Sequence, residues 1–218
     1  MNDKLTFNNG VSPMAALVGG PTQEEIRHMP QLYRADWHFA TMVGGPWLGK
    51  FLNLVGPELD GTKLISIDVK VHMLKKGWSP SIPGWHLDDF WRPTKEQPAI
   101  AELADHPCRH FMLIFGDASR TQYLEGPVEL PLPPDPLPPG EKVYGWYNTL
   151  IDSMNLPHWE VQPGMIYRFN SFDFHRGVWA DKDGWRAFIR LTESDHREPK
   201  NEIRFQSQVY LREPYAGW

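Results

Sequence analysis

Proline and glycine restrict this chain to short structural elements joined by many turns. The sequence contains 21 prolines and 18 glycines among its 218 residues, so long helices should be few. Residues 63–74 (KLISIDVKVHML) alternate between aliphatic and polar side chains, which is typical of a half-buried strand. Residues 110–126, 159–170, 184–194 and 203–211 indicate further strands. The sequence therefore predicts a mainly β fold, a sandwich or barrel with a few flanking helices.

The helices are predicted mostly in front of these strands, in a helical lead-in at residues 1–60. Thr22 and Glu25 have the spacing of a capping box, so a short helix should follow Thr22. Pro46 suits the first turn of a second helix, which should end at Gly56.

A chain of this length suits a single domain, residues 1–218, with its core at about 64–212. Residues 127–143 form a proline-rich insert, with seven prolines between Pro127 and Pro139. Proline lacks the amide hydrogen that a central strand needs, so this insert should run over the surface. We interpret it either as a stiff linker inside the domain or as a lid over a pocket.

Charge and cysteine content narrow the range of partners and compartments. The formal net charge of −5 argues against general nucleic-acid binding, although a nucleotide or a single base could still be a substrate. Cys108 is the only cysteine, which excludes an intrachain disulfide and a thiolate metal cluster. The first ten residues lack signal-peptide features, and no apolar run is long enough to span a membrane. We expect a cytoplasmic protein without a membrane partner.

Two histidines and an aspartate have the spacing of a metal site. His86 and Asp88 are two residues apart, so on an extended segment both side chains point the same way, and Asp89 points to the opposite face. His175 follows another strand-like run. Two imidazoles and one carboxylate form the facial triad of non-haem Fe(II) oxygenases. Because an H-x-D tripeptide also occurs by chance, a loop without a metal is the alternative.

Two arginines lie four residues apart on the strand predicted after the second histidine. Arg186 and Arg190 share one face of that strand, and its aliphatic side chains share the other. The arginines either face solvent or bind an anionic ligand, since guanidinium binds carboxylate through a two-pronged fork. For Arg190, an ion pair with Asp173 or Asp183 is the alternative.

The order of H-x-D, a distal histidine and an arginine eleven residues later resembles the Fe(II)/2-oxoglutarate-dependent oxygenase superfamily. The resemblance covers roughly residues 64–192 and is one of pattern, taurine-dioxygenase-like or phytanoyl-hydroxylase-like. Residues 163–177 (PGMIYRFNSFDFHRG) look like the superfamily's strand and distal histidine. The resemblance implies a double-stranded β-helix, or jelly roll, that uses Fe(II), 2-oxoglutarate and O2.

The resemblance also implies roles for individual residues. The metal-binding and catalytic group would comprise His86, Asp88 and His175. Arg186 would hold 2-oxoglutarate, Arg190 would help to bind the co-substrate or an anionic substrate, and Thr121 would contact the co-substrate. Halogenating relatives replace the carboxylate ligand with a small residue, so the presence of Asp88 favours oxidation of a C–H bond, such as hydroxylation, with release of succinate and CO2.

The substrate is expected to be a small molecule or a group of residue size. Trp85, Phe90 and Trp91 flank the H-x-D motif and would form the walls of a flat apolar pocket, although core packing is an alternative for each of them. Two other functions fit the same sequence. A cupin-type iron oxygenase would use the same three ligands without 2-oxoglutarate, and Arg186 would then be structural or bind substrate. A non-catalytic β-sandwich would be a binding module.

Overall fold

The computed structural model describes residues 4–89, 100 and 107–211, and this part of the chain is mainly β. The strands are β1 (Lys4–Phe7), β2 (Ser12–Ala16), β3 (Gln31–Ala35), β4 (Leu64–Leu74), β5 (Trp78–Ser79), β6 (Arg109–Phe115), β7 (Thr121–Leu124), β8 (Val128–Pro131), β9 (His158–Glu160), β10 (Met165–Asn170), β11 (His175–Gly177), β12 (Gly184–Ser194), β13 (Glu202–Arg204) and β14 (Tyr210–Leu211). The helices are α1 (Gln23–Arg27), α2 (Trp37–Val43), α3 (Gly45–Val55), a 3-10 turn (Gly56–Glu58) and α4 (Val143–Met154).

Antiparallel sheets of different size organise these strands. The largest has seven strands in the order β13-β3-β4-β12-β6-β10-β2, and a three-stranded sheet has the order β11-β7-β9. The remaining pairs are β1 with β8 and β14 with β5. β4 and β12 form the longest pair and are in register from Gly184 opposite Leu74 to Ser194 opposite Leu64. This long pair lies at the centre of the large sheet and fixes the face on which each of its side chains lies.

One face of the large sheet packs on the helices and forms the main core. Val69 and Val71 of β4, with Ile189 and Leu191 of β12, belong to the same buried cluster as Phe51 of α3. Burial of each such side chain contributes about 1.5–3 kcal/mol to folding. Because side chains alternate along a strand, the residues between them point to the other face of the sheet. That other face carries the polar groups of the candidate site.

Several predicted elements are confirmed. α1 follows Thr22, whose side chain caps the helix together with that of Glu25, and α3 has Pro46 in its first turn and ends at Val55. The strand predicted at 184–194 has the same bounds as β12. The lead-in differs from the prediction, because it contributes β1, β2 and β3 as well as helices. These short strands complete sheet edges, and a single segment gives little sign of such pairing.

The C-terminal strand prediction at 203–211 is also corrected. The structure has two short strands there, β13 and β14, which join different sheets. The proline-rich insert lies outside the seven-stranded sheet. Its one strand, β8, pairs with β1 in a separate two-stranded sheet. Leu130 and Leu132 of the insert pack in the hydrophobic cluster that includes Tyr147 of α4. Among the described residues the longest helix has 12 residues, too short to cross a bilayer.

Candidate metal centre

Three side chains of the kinds that bind metals converge in this fold. His86, Asp88 and His175 each offer a ligand atom, and these atoms all lie within 4.8 Å of one another. Both histidines are buried and Asp88 is half-buried. The three residues are those that the sequence pattern predicts, and together they could hold a metal ion.

Backbone pairing brings the two histidines together. His86 and His175 form an antiparallel bridge, in which the His86 amide donates to the His175 carbonyl at 2.9 Å and the His175 amide donates to the His86 carbonyl at 3.0 Å. Residues that face each other in an antiparallel pair direct their side chains to the same side. Asp88 is two residues beyond His86, so its side chain points to that side as well.

Hydrogen bonds at the far nitrogens orient both imidazole rings. Nδ1 of His86 lies 2.8 Å from the carbonyl oxygen of Gly84, and Nδ1 of His175 lies 2.9 Å from that of Asp173. A carbonyl oxygen only accepts, so each Nδ1 must donate its hydrogen. In the neutral ring, Nε2 then keeps a free lone pair, and Nε2 of His175 lies 3.3 Å from Oδ2 of Asp88. This tautomer is the one that presents Nε2 to a metal.

The electrostatic environment favours the charge states that metal ligands need. Burial and the neighbouring His175 lower the pKa of His86 to about 4, so its ring is neutral at neutral pH. Burial alone would raise the pKa of Asp88, but Arg190 and His175 outweigh it and hold that pKa well below the usual range. Two imidazoles and a carboxylate are donors that suit a divalent ion of intermediate hardness, and the residues therefore fit Fe(II).

Arg190 pairs with three carboxylates, while its Nε has no hydrogen-bond partner among the described residues. Its guanidinium pairs with Asp88, with Asp89 at 3.0 Å and with Asp68 at 2.9 Å. Arg197 closes this network by pairing with Asp68 at 2.8 Å and with Asp89. The sequence pattern gives no indication of Asp68 and Arg197 as partners. The available signal was the place of Asp68 on the polar face of the strand predicted at 63–74, and the register that pairs it with Arg190 appears only in the structure.

The partners predicted for Arg190 are wrong. Asp173 accepts hydrogen bonds from the backbone amides of Asn170 and Gly10, at 2.7 and 3.2 Å, and Asp183 pairs with Lys75 at 2.7 Å. The sequence neighbourhood of Arg190 suggests these acids, but cross-strand register decides its contacts. β12 lies beside β4, so Asp68 of β4 is one of the partners of Arg190, together with Asp88 and Asp89.

Arg186 contacts neutral oxygen atoms, whereas Arg190 contacts carboxylates. Arg186 is only 2% exposed, and its Nε donates to the Ser119 carbonyl at 3.0 Å, while Nη2 lies 3.4 Å from Oγ1 of Thr121. Within the described residues, no carboxylate lies within 4.0 Å of this guanidinium. Burial lowers the pKa of Arg186 to about 9. The structure thus brings Thr121 and Arg186 together and leaves a buried cation without a counter-ion.

A cavity of about 250 Å³ joins the metal group to Arg186. Its walls include His86, Asp88, His175, Thr121, Arg186 and Arg190. The three candidate ligands and the unpaired guanidinium therefore face one enclosed space, large enough for a small organic molecule.

Of the three aromatic residues predicted to form the pocket walls, Trp85 is described by the structure and does not line the cavity. Trp85 is 2% exposed and packs in the cluster beneath α4, because its neighbour His86 points to the site and alternation turns Trp85 away. Its role is core packing, with the Arg176 guanidinium 4.3 Å from its ring centroid. Phe90 and Trp91 lie outside the described residues.

Comparison of the chain with protein-family models, with curated proteins and with solved structures gives no match. The geometry of the chain itself therefore carries the functional argument.

Proposed function

We propose that this protein is an Fe(II)- and 2-oxoglutarate-dependent oxygenase that oxidises a C–H bond of a small-molecule or residue-sized substrate and releases succinate and CO2. One observation carries the proposal above all. A buried guanidinium without a carboxylate partner, that of Arg186, lines the same cavity as the candidate metal group.

The metal group supports the first half of this proposal. His86, Asp88 and His175 would hold Fe(II) on one face and leave its other positions open for small ligands. The iron, when bound, supplies the oxidative chemistry in which O2 and 2-oxoglutarate are consumed. The chain contributes the ligand geometry, the neutral imidazole of His86 and the cavity beside it.

Arg186 supports the second half. A buried cation is costly unless an anion pairs with it, and the described residues provide only a carbonyl and a hydroxyl. A dicarboxylate bound to the metal at one end would bring its other carboxylate to this guanidinium and to the Thr121 hydroxyl. Arg186 and Arg190 lie on one face of β12, and Arg190 contacts Asp88. This face of β12 therefore connects the metal group with Arg186.

The strand order supports a jelly roll, the fold we propose for this domain. Eight segments, β4, the His86 segment, β6, β7, β9, β10, β11 and β12, are divided between the large sheet and the three-stranded sheet. The chain crosses repeatedly between these two sheets, as it does in double-sheet jelly rolls. In this arrangement the metal group lies on the smaller sheet and Arg186 on the larger one.

The test is succinate formation from 2-oxoglutarate by the purified protein with Fe(II) and ascorbate. We expect turnover even without the prime substrate, and His175→Ala should abolish it because one ligand is lost. The exposed His28→Ala serves as the matched control and should retain the wild-type rate. Iron binding without any succinate would favour the cupin-type oxygenase. A protein that binds neither iron nor 2-oxoglutarate would be the non-catalytic binding module.

A further inference from the structure

Lys70 is a further cation in the wall of the cavity that contains Arg186 and Arg190. It lies on β4 between Asp68 and His72, on the strand face that carries the site. Phe188 is its register partner on β12, and the Lys70 ammonium lies 5.9 Å from the centroid of that ring. On the neighbouring strand, Arg190 is opposite Asp68 and Arg186 is opposite His72. Lys70 therefore lies between the two arginines along the direction of the strands.

Lys70 also lacks a counter-ion in the described part of the chain. No carboxylate there lies within 4.0 Å of its Nζ, and solvent reaches the side chain. The nearest acid on its strand, Asp68, is engaged by Arg190 and Arg197. Another cation of the cavity wall, Arg204, pairs with Glu202 at 3.4 Å and lies over the ring of Tyr33. Lys70 is therefore an accessible and unpaired positive group.

With a divalent metal and 2-oxoglutarate bound, the charged groups of the described residues around the cavity would sum to +1. The network around Arg190 contains three carboxylates and two guanidinium groups, a net charge of −1, and a divalent metal changes it to +1. Arg186 and Lys70 bring the total to +3, of which the two carboxylates of 2-oxoglutarate balance two. Although solvent reaches the side chain, the neighbouring groups partly desolvate the Lys70 ammonium and, with Arg190, lower its pKa, and Asp68 and Asp88 offset only part of that effect. An anion beside the ammonium would therefore stabilise its charged form. The remaining positive charge favours an anion.

We propose that Lys70 binds an anionic group of the prime substrate, so that the molecule oxidised here is a small organic anion such as a carboxylate. This inference rests on the proposed function, because the charge count includes the metal and 2-oxoglutarate. It also moves the substrate role predicted for Arg190 to Lys70, since Arg190 already contacts three carboxylates.

The test uses benzoate and benzamide, a pair of probes of nearly the same shape that differ in charge. Calorimetry would measure their affinities for the anaerobic protein loaded with Fe(II) and 2-oxoglutarate. We expect wild type to bind benzoate about tenfold more tightly than benzamide, because one charge-assisted contact contributes a gain in affinity of this size. Lys70→Met should remove this preference without changing benzamide binding, and Lys70→Arg should keep most of it. Lys76→Met is the matched control, since Lys76 is an exposed lysine outside the cavity.

Three results would overturn the Lys70 site: equal affinity of wild type for the two probes, a preference retained in Lys70→Met, or a loss of 2-oxoglutarate affinity in that variant larger than about threefold. The last would make Lys70 a co-substrate contact. If wild type binds no 2-oxoglutarate, the proposed function fails instead. In that case the affinities of benzoate and benzamide for the protein loaded with Fe(II) alone test Lys70 separately. If Lys70→Met fails to fold, Lys70→Gln takes its place.

Discussion

At the scale of single residues, two arginines on one strand face have opposite electrostatic roles. Arg190 contacts three carboxylates and is part of the support for Asp88, a candidate metal ligand. Arg186 has only neutral acceptors and lies on the cavity wall. Sequence spacing places both residues on the same face, but only the contacts show that, among the described residues, Arg190 has carboxylate partners and Arg186 has none.

Replacement of Arg186 should weaken the binding of 2-oxoglutarate. We expect Arg186→Met to raise the apparent KM for 2-oxoglutarate by about tenfold or more, because a charge-assisted contact is lost. Arg186→Lys should recover part of the affinity, as the point charge remains without the fork. Steady-state succinate assays measure the effect, with the exposed Arg168→Met as control. An unchanged KM in Arg186→Met would remove this residue from the co-substrate site.

The metal group could be predicted from the sequence, and its supporting network could not. His86 and Asp88 have a spacing that works on any extended segment, and a downstream histidine completes a known donor set. The contact between Asp68 and Arg190 depends instead on how two strands distant in sequence align. A shift of one residue in that register would separate the two groups, and no local pattern specifies it.

At the scale of elements, the turn between β6 and β7 lies very close to the backbone of β12 at Trp185 and Arg186. Gly116 has φ +82°, and a Cβ there would lie 2.2 Å from the Trp185 carbonyl oxygen and 3.2 Å from Cα of Arg186. A side chain at this position would push against the start of β12, which carries the unpaired guanidinium. This turn therefore sets the position of Arg186 from outside the cavity.

Gly116→Ala should destabilise the protein more than Gly140→Ala does. Gly140 has nearly the same φ, +83°, but a Cβ there would meet no atom within 4 Å, so the two variants share the backbone strain and differ in the clash. We expect Gly116→Ala to lower the free energy of unfolding by about 1–3 kcal/mol more than the control variant. Urea denaturation measures both values, and equal losses would show that the contact with Trp185 relaxes without cost.

Strands with clear alternation could be predicted, and edge strands could not. The strand at 184–194 could be delimited from sequence because its two faces differ in chemistry over eleven residues. β2 and β13 are three to five residues long and add to the edges of the large sheet, where hydrogen bonds from a neighbour decide the conformation. Propensity over so few residues is a weak signal.

At the scale of the whole molecule, one buried ion network connects distant parts of the fold. It links β4 through Asp68, β12 through Arg190, the metal segment through Asp88 and Asp89, and the chain after β12 through Arg197. Removal of Arg190 takes a guanidinium partner from Asp68, Asp88 and Asp89 at once, while Asp68 and Asp89 keep their ion pairs with Arg197. Such a loss is far more costly than the loss of an exposed pair.

Arg190→Met should therefore lower the free energy of unfolding at neutral pH by about 3–5 kcal/mol. Burial would raise the pKa of Asp68, but Arg190 and Arg197 outweigh it and lower that pKa. The stability from this pair is present above the unfolded pKa of about 4 and is lost as the pH falls through the folded value, so the variant should differ less from wild type in acid. Urea titrations at neutral and acidic pH test this. A similar loss in Arg204→Met, which breaks an exposed pair, would contradict it.

The pairing of His86 with His175 has a consequence for how such a site can change over evolution. The two positions face each other because of backbone hydrogen bonds, which do not depend on the side chains. A cysteine or a glutamate at either position would direct its side chain to the same side of this strand pair. The scaffold therefore separates the place where a metal could bind from the choice of donor atoms, and other donor sets could arise there without a change of fold.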